Sequence, residues 1–349
     1  MIILCARGAS NKTLSSERES PLPLVEETMP ETTFITDPAE LEALLALPES
    51  ADPDAAAAFA LRIPRELAEH LGKGDLNDPV LLQFWPNARE NDSPPGFDTD
   101  PLGEWSGPAP DKPLPSGLLW KYAGRVLVMT KGVCAAHCRF CFRRHLPPAV
   151  PPDWGAIAAF LERNSSVEEI ILSGGDPLGM PPGELDLALH YIRELSFVKR
   201  VRIHTRYPVL SPASLTPFLF ERLEEIEKAG KTVVFVLHIN HPAELTPAAV
   251  QGILSLRQRG YLLFSQTVLL RGVNDRTGIL AELLIRVFDL GVVPYYLHQL
   301  DRVAGAAHFE VPVDEGRRIA GELRALLPGY LVPLYVREIP GTPSKTPLE

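Results

Sequence analysis

The sequence contains few cysteines and no long apolar run, and both absences exclude whole classes of protein. Only 4 of the 349 residues are cysteine, too few for the disulfide framework of a small secreted domain. No apolar stretch approaches the roughly 20 residues that a membrane-spanning helix needs. The start, MIILCARGASNK, has an apolar stretch too short for a signal peptide. We therefore predict a cytoplasmic protein without a membrane partner.

The sequence also has no excess of positive charge. Its formal net charge is −10, whereas binding to a nucleic-acid backbone requires clustered Lys and Arg side chains. We therefore predict no nucleic-acid partner. Hydrophobic residues make up 45% and charged residues 22% of the chain, which is typical of a soluble globular enzyme. The length suffices for one large domain and an extension.

Residues 1–115 differ in composition from the remainder of the chain. Short helical patterns occur at 37–47 and at 55–71, and the second is rich in alanine. The stretch 86–115 is dense in Pro, Gly, Asp and Ser, a composition that predicts irregular, wrapping chain. We interpret residues 1–115 as an N-terminal helical and wrapping extension.

From about residue 120 onward, apolar runs alternate with amphipathic helical patterns. We predict strands at 125–130, 169–175, 200–206, 232–239, 262–270 and 294–300. We predict helices at 154–163, 184–195, 215–229, 248–259, 278–290 and 314–327. Such alternation implies βαβ units and a parallel sheet.

No glycine-rich nucleotide-binding motif follows the first of these strands. The pattern therefore favours an α/β fold with a partial, TIM-like (β/α)6 barrel over a doubly wound sheet. We assign this barrel to residues 116–330 and a C-terminal tail to 331–349. In barrels of this kind the chemistry lies on loops that follow the carboxyl ends of the strands.

Three of the four cysteines lie close together, directly after the first predicted strand, in KGVCAAHCRFCFRRH (131–145). Cys134, Cys138 and Cys141 have the spacing C-x3-C-x2-C. Cysteine thiolates are the usual ligands of iron–sulfur clusters. Three thiolates would leave one iron of a 4Fe–4S cluster open to bind a small molecule.

A structural zinc site is the alternative interpretation of the motif. Zinc normally takes four ligands, and His137 or His145 could supply the fourth. The second pair of cysteines that many zinc sites contain is missing, so we favour the cluster. Cys5 stands alone near the terminus, and we interpret it as an incidental thiol.

The cysteine motif, followed by an aromatic residue and arginines, resembles the radical S-adenosylmethionine (SAM) superfamily. Its wider context resembles the lysine 2,3-aminomutase family, and the sequence is similar to the short bacterial branch known as EpmB, which serves the (R)-β-lysylation of elongation factor P. The resemblance is carried by CRFCFRRH (138–145), LSGGDPL (172–178), RIHTRYP (202–208), LLRGVND (269–275), GAAHF (305–309) and PSKTP (343–347).

The resemblance implies three cofactors. Cys134, Cys138 and Cys141 would hold a 4Fe–4S cluster. The residues that would contact SAM are Gly174, Gly175, Asp176 and Gln266. Pyridoxal phosphate (PLP) would be attached covalently to Lys345, and its phosphate would be held by Arg125 and Lys121. Outside this context, GGDP would be an ordinary tight turn and a lysine in the tail an ordinary solvated charge.

The resemblance also implies a substrate. Arg143 matches the arginine that pairs with the α-carboxylate of lysine, and its planar fork suits a bidentate contact. Asp301 matches an acid that holds the distal ammonium. Glu338 stands where the family has an aspartate, so the charge is retained on a longer side chain. Two acids at this end favour a cationic substrate over glutamate, whose own carboxylate they would repel.

The implied reaction converts (S)-α-lysine to (R)-β-lysine by a SAM-derived radical. A reductant such as flavodoxin or ferredoxin would supply the electron, and elongation factor P and its lysyl ligase would be functional partners. A homo-oligomer is a further partner that we predict. A metabolic aminomutase that makes free β-amino acids is an alternative, and the short tail after Lys345 favours the elongation factor P branch over it. A non-catalytic metal-binding scaffold is the alternative from another class.

Overall fold

The computed structural model describes residues 33–105, 113–130, 133–147 and 151–349. Cys5 and the part of the predicted wrapping stretch at 106–112 lie outside the described residues. In the part of the chain that the structure describes, no helix is both long and apolar enough to cross a bilayer.

The N-terminal extension consists of short elements: β1 (Phe34–Ile35), α1 (Pro38–Leu45), α2 (Pro53–Ala58), β2 (Ile63–Pro64) and α3 (Arg65–Ala68). The strands β1 and β2 pair antiparallel. The Asp37 and Asp52 side chains accept hydrogen bonds from the first turns of α1 and α2 and so cap both helices. The alanine-rich pattern at 55–71 therefore forms two short helices rather than one. Pro64 separates them, because proline disfavours helical backbone at the residue before it.

The remaining strands form one sheet: β3 (Leu118–Tyr122), β4 (Arg125–Thr130), β5 (Glu169–Gly174), β6 (Arg200–Thr205), β7 (Thr232–His238), β8 (Leu262–Leu269), β9 (Val293–Gln299), β10 (Leu334–Arg337) and β11 (Thr346–Pro347). The helices between them are α4 (Trp154–Glu162), α5 (Pro182–Glu194), α6 (Tyr207–Leu210), α7 (Pro217–Lys228), α8 (Pro247–Gln258), α9 (Thr277–Asp289) and α10 (Val313–Leu326). Short 3-10 helices include Leu81–Gln83, Ala88–Asn91, Pro177–Gly179 and Pro242–Glu244.

The strand order in the sheet follows the chain, from β3 at one edge to β11 at the other. The strands from β4 to β10 are parallel, and β3 and β11 add antiparallel edges. The predicted α/β partial barrel is confirmed, and its six strands are β4 to β9. The structure adds β10 as a seventh parallel strand. Among the described residues β3 and β11 do not pair, so the barrel is open.

The side chains along each parallel strand alternate between the two faces of the sheet. On β6, Val201 and Ile203 are fully buried in the main hydrophobic core, whereas Arg202 and His204 face the inside of the open barrel. Successive side chains of a strand point to opposite faces, so the helices cover one face and the other face is free for chemistry. The same core includes Ile35, Leu41 and other residues of the extension, which is therefore packed onto the barrel.

A buried ionic cluster ties the loop after β4 to the extension. Arg139 of the loop donates from Nε and Nη2 to the two carboxylate oxygens of Glu90, at 2.8 and 2.5 Å. Arg144 donates to the same carboxylate at 2.7 Å. The Arg139 side chain is fully buried, and those of Glu90 and Arg144 are 2% exposed. Arg139 also donates to the backbone carbonyls of Ala55 and Phe59.

Replacing Glu90 by glutamine should destabilise the protein by about 3–5 kcal/mol, because two buried guanidinium groups would lose their counter-charge. Urea denaturation of the purified protein measures the change. Glu40→Gln is the matched control, since Glu40 pairs with Arg65 at the surface and such pairs contribute roughly 0–1 kcal/mol. Equal, small losses for both variants would contradict a supporting role for the Glu90 cluster.

Candidate active site

A cavity of about 430 Å³ lies inside the open barrel, toward the carboxyl ends of the parallel strands. Its wall contains every site residue predicted from the sequence. These residues are Lys121, Arg125, Cys134, Cys138, Cys141, Arg143, Gly174, Gly175, Asp176, Gln266, Asp301, Glu338 and Lys345. The loop that follows β4 carries the three cysteines, and we call it the cysteine loop. It therefore meets the C-terminal tail at one cavity, although more than half of the chain separates the two in sequence.

The three cysteines are free thiols on the loop that follows β4. Burial raises the pKa of the Cys141 thiol to about 11, and it also raises the pKa of Cys134 and Cys138. Thiols in such surroundings keep their protons unless a metal or a cation stabilises the thiolate. Arg206 supplies one cation, since its Nη1 lies 2.8 Å from the Cys138 Sγ.

Each of the two histidines of the zinc interpretation has a ring nitrogen in contact with a backbone carbonyl oxygen. The Nδ1 atom of His137 lies 2.8 Å from the carbonyl oxygen of Ala60, and its ring stacks on Phe59. The Nε2 atom of His145 lies 3.0 Å from the carbonyl oxygen of Ala304. Across the described residues, no three His, Cys, Asp or Glu side chains converge on a point that could hold a single metal ion.

The GGDP turn borders the cysteine loop at the end of β5. Gly174 has a φ of 105°, a conformation that favours glycine, and a Cβ atom there would crowd Met129 and Thr130 of β4. The Asp176 carboxylate accepts hydrogen bonds from Thr205 Oγ1 at 2.7 Å and from the Arg206 backbone N–H at 2.6 Å. Burial raises its pKa to about 6. The Asp176 side chain therefore ties this turn to β6.

The antiparallel pairing of β10 with β11 brings Lys345 beside Glu338. Arg337 and Thr346 are register partners, and the Lys345 ammonium donates to Glu338 Oε2 at 2.5 Å. The hydroxyl of Tyr122 donates to the other oxygen of Glu338 at 2.5 Å. Burial acts to raise the pKa of Glu338, but the charge and hydrogen bond of Lys345, the Tyr122 hydrogen bond and the Lys121 charge together lower it.

Basic side chains line the cavity near Lys345. Arg125 lies over the ring of Tyr122, with 4.6 Å between its guanidinium carbon and the ring centroid. Lys121 forms an ion pair with Glu104 at 3.1 Å. The structure adds Arg202, which the sequence reasoning missed and which forms two hydrogen bonds with Glu169.

Glu104 is a further residue that the sequence reasoning missed. Its carboxylate accepts from Nε and Nη2 of Arg143 at 2.7 and 3.0 Å, and both side chains are nearly buried. The Nη1 group of Arg143 lies 3.4 Å from Ser173 Oγ. An arginine has two donor edges, so Glu104 occupies one edge and thereby orients the other, Nη1–Nη2, for a ligand.

Asp301 lies directly after β9 and lines the same cavity. Burial raises the pKa of its carboxyl to about 7, with Lys345 acting in the opposite direction and Glu338 reinforcing it. The two acids, Asp301 and Glu338, thus face one region of the wall. A cation that entered this region would favour the ionised form of Asp301.

Comparison with known proteins identifies the family. A model described as the radical SAM superfamily matches residues 128–284. L-Lysine 2,3-aminomutase of Escherichia coli (strain K12) is 43% identical over 323 residues, 90% of this chain and 92% of the relative. The enzyme of the same name from Haemophilus influenzae is 39% identical over 89% of this chain and 92% of its own length. That from Clostridium subterminale is 36% identical over 78% and 65%, respectively.

The chain belongs to the lysine 2,3-aminomutase family. Membership of the radical SAM superfamily implies a 4Fe–4S cluster and SAM, and the residues present fit both groups. Three thiols lie on one loop at the cavity wall, and cysteine thiolates are the ligands that hold such clusters. One of them also has an N–H donor on its sulfur, a contact that orients and tunes a ligand. The backbone of Gly174 and Gly175 bounds the same cavity.

Three histidines of this family member line the cavity and were not predicted as site residues: His204, His238 and His298. Burial lowers the pKa of each well below its ordinary value, so all three are neutral near pH 7. The Nε2 atom of His204 is buried and has no hydrogen-bond partner among the described residues. Such a group fits a polar ligand, as PLP would be. Each histidine lies within or at the end of a strand. For His238 and His298 that position was the signal in the sequence, and His204 also lies in the family stretch RIHTRYP.

Cys138→Ala should abolish assembly of a 4Fe–4S cluster, because two thiolates cannot replace three. The readout is the iron and sulfide content and the visible absorbance after anaerobic reconstitution. Cys5→Ala is the control, and we expect it to assemble the cluster as the natural sequence does. A full cluster in Cys138→Ala would remove Cys138 from the ligand set.

Proposed function

We propose that the protein is an L-lysine 2,3-aminomutase that converts (S)-α-lysine to (R)-β-lysine. One observation carries the proposal: the cysteine loop and Lys345 line the same cavity. A radical aminomutase needs its radical source and its nitrogen carrier at one substrate. Family membership supports the same reaction, since the relatives bear the name L-lysine 2,3-aminomutase.

When bound, the cluster with SAM supplies the radical that removes hydrogen from the β-carbon, and PLP supplies the conjugated ring that stabilises the unpaired electron. The protein supplies attachment and orientation. Lys345 is the residue for covalent attachment of PLP, and Lys121 and Arg125 are the cations for its phosphate. Glu338 accepts a hydrogen bond from Lys345 and holds its side chain at the wall, and the Tyr122 hydroxyl in turn donates to Glu338.

The cavity offers a complementary group to each end of lysine. The oriented edge of Arg143 suits the α-carboxylate, which it can bind with two parallel hydrogen bonds. Asp301 and Glu338 suit the distal ammonium, and Glu338 already binds one alkylammonium, that of Lys345. Glutamate would bring a third carboxylate against these two acids, an unfavourable arrangement.

The wall also excludes water from the reacting atoms. Phe140 and Leu300 are buried side chains that line the cavity, and the neutral histidines add no charge to it. A reactive radical is protected from side reactions in such an enclosure. The protein thus contributes confinement as well as positioning.

The wider role that we propose is a supply of (R)-β-lysine for the modification of elongation factor P in the cytoplasm. A flavodoxin or ferredoxin would donate the electron, and the lysyl ligase of elongation factor P would consume the product. The stretches CRFCFRRH, GAAHF and PSKTP support this branch. Synthesis of free β-lysine for metabolism is the second candidate.

Incubation of reconstituted protein with SAM, PLP, reductant and L-lysine should yield β-lysine, and mass spectrometry of the derivatised products measures it. We expect less than about one tenth of that rate with glutamate, because loss of one well-formed charged contact costs about tenfold or more. Preferential conversion of glutamate would contradict the assignment of Asp301 and Glu338.

Two controls separate the possible failures of that assay. Lys345→Ala should keep its cluster but lose PLP and β-lysine formation, whereas Lys228→Ala, at the surface, should behave as the natural sequence does. A protein that assembles no cluster and cleaves no SAM would support the non-catalytic scaffold. Transfer of the product to elongation factor P by its ligase distinguishes the modification role from free metabolism.

The apparent affinity for lysine should fall as the pH falls below about 7. Asp301 has its pKa raised to about 7 and binds the ammonium only when ionised, so kcat/KM should decrease roughly tenfold per pH unit on the acid side. The pH profile of kcat/KM measures this limb. Asp301→Asn should remove the limb, and an identical profile in that variant would contradict the assignment.

A further inference from the structure

Arg206 lies beneath the cysteine loop, immediately after β6. Its Nη1 group donates to the Sγ atom of Cys138 at 2.8 Å. Its backbone N–H donates to Asp176, which fixes the main chain at this position. The residue is only 6% exposed. A guanidinium group therefore contacts one of the three thiols from inside the protein.

The other end of the guanidinium is held by two buried side chains. Nη2 of Arg206 donates to Gln83 Oε1 and to Glu244 Oε2, each at 2.8 Å. The Nε2 group of Gln83 donates to the second oxygen of Glu244 at 3.0 Å. Gln83 and Glu244 are fully buried. The cation thus has one orientation, and that orientation points Nη1 at the sulfur.

The surroundings strengthen this contact. The rings of Phe84 and Phe140 lie 5.2 and 5.9 Å from the guanidinium carbon, so little water surrounds the charge. Electrostatic interactions gain strength where the local dielectric constant is low. Hydrogen bonds to the sulfurs, net charge and solvent exposure are the features that set the reduction potential of an iron–sulfur cluster.

We propose that Arg206 is a positioning residue that raises the reduction potential of the cluster through its hydrogen bond to the Cys138 thiolate, with Gln83 and Glu244 fixing its guanidinium. The inference rests on the proposed function, because it requires the three cysteines to hold a cluster. When the cluster is reduced, the external reductant loses one electron and the cluster gains it. No proton is transferred, and Arg206 stabilises the added negative charge.

Glu244 has the opposite effect on the cluster. Its carboxylate forms an ion pair with Arg206 and offsets part of the positive charge that the cluster experiences. Two substitutions should therefore move the potential in opposite directions. Glu244→Gln leaves Arg206 unbalanced and should raise the potential, whereas the double substitution Arg206→Gln with Glu244→Gln removes both charges and should lower it.

The experiment is a potentiometric titration of the anaerobically reconstituted, full-length protein, followed by the electron paramagnetic resonance signal of the reduced cluster. For the double variant we expect about a tenfold loss in the equilibrium constant for reduction, which for a one-electron couple is about 59 mV. The single substitution Arg206→Lys keeps the positive charge, so its reduction potential should stay close to that of the natural sequence. Iron and sulfide content confirms that each variant carries a full cluster.

The matched control is Arg62→Gln. Arg62 also lies beside the cysteine loop, but its Nε donates to the backbone carbonyl of Cys134, at 3.0 Å, rather than to a thiol. Arg62→Gln removes a positive charge beside the loop without removing a hydrogen bond to sulfur, and we expect a clearly smaller decrease in potential than in the double variant. An equal shift in the control would overturn the specific part assigned to Arg206.

The outcomes are separable. A potential that stays unchanged in both Glu244→Gln and the double variant, at full cluster content, would overturn the inference. If the double variant assembles no cluster, Glu244→Gln alone decides, and an unchanged or lowered potential in that variant would overturn the inference. Absence of a cluster in the natural sequence would instead refute the proposed function. A shifted potential without lysine turnover would support the inference and refute only the substrate.

Discussion

The buried contact of Glu90 with Arg139 and Arg144 is the interaction on which the site depends. The cysteine loop contains no helix or strand among its described residues, so the barrel alone does not hold it. The extension supplies the partners that hold the loop. Its Glu90 carboxylate lies between Arg139 and Arg144 of the loop, and its Gln83 carbonyl accepts a hydrogen bond from the Arg139 backbone N–H. The N-terminal extension is therefore the support on which the three thiols are positioned.

The other half of the site depends on the last few residues. A four-residue parallel strand, β10, continues the barrel, and β11 turns back along it. This turn carries Lys345 to Glu338 and to the cavity that the cysteine loop also lines. Gln83 and Arg206 then connect the extension to the loop and to β6 in one buried network. The site is thus built by three parts of the chain that are distant in sequence.

Much of this arrangement could be predicted from local patterns. Apolar runs predicted the six parallel strands from β4 to β9, and motifs at their carboxyl ends converge because parallel strands end at one side of a barrel. Glu104 could not be found this way, because a single charged residue has no local signature when its partner is 39 residues away. Arg206 lies in the family stretch RIHTRYP, but a local pattern does not predict its contact with Cys138, 68 residues away. The strands β10 and β11 are too short for an apolar period to identify them.

The central claim is that the cluster and Lys345 act on one substrate in one cavity. The most direct test uses L-lysine deuterated at its β-carbon, reconstituted protein, SAM, PLP and reductant, with mass spectrometry of 5′-deoxyadenosine and β-lysine. The account predicts that deuterium passes from lysine into 5′-deoxyadenosine while β-lysine forms, and that Lys345→Ala abolishes the transfer. Formation of β-lysine with no deuterium in 5′-deoxyadenosine, or label transfer unaffected by Lys345→Ala, would contradict it.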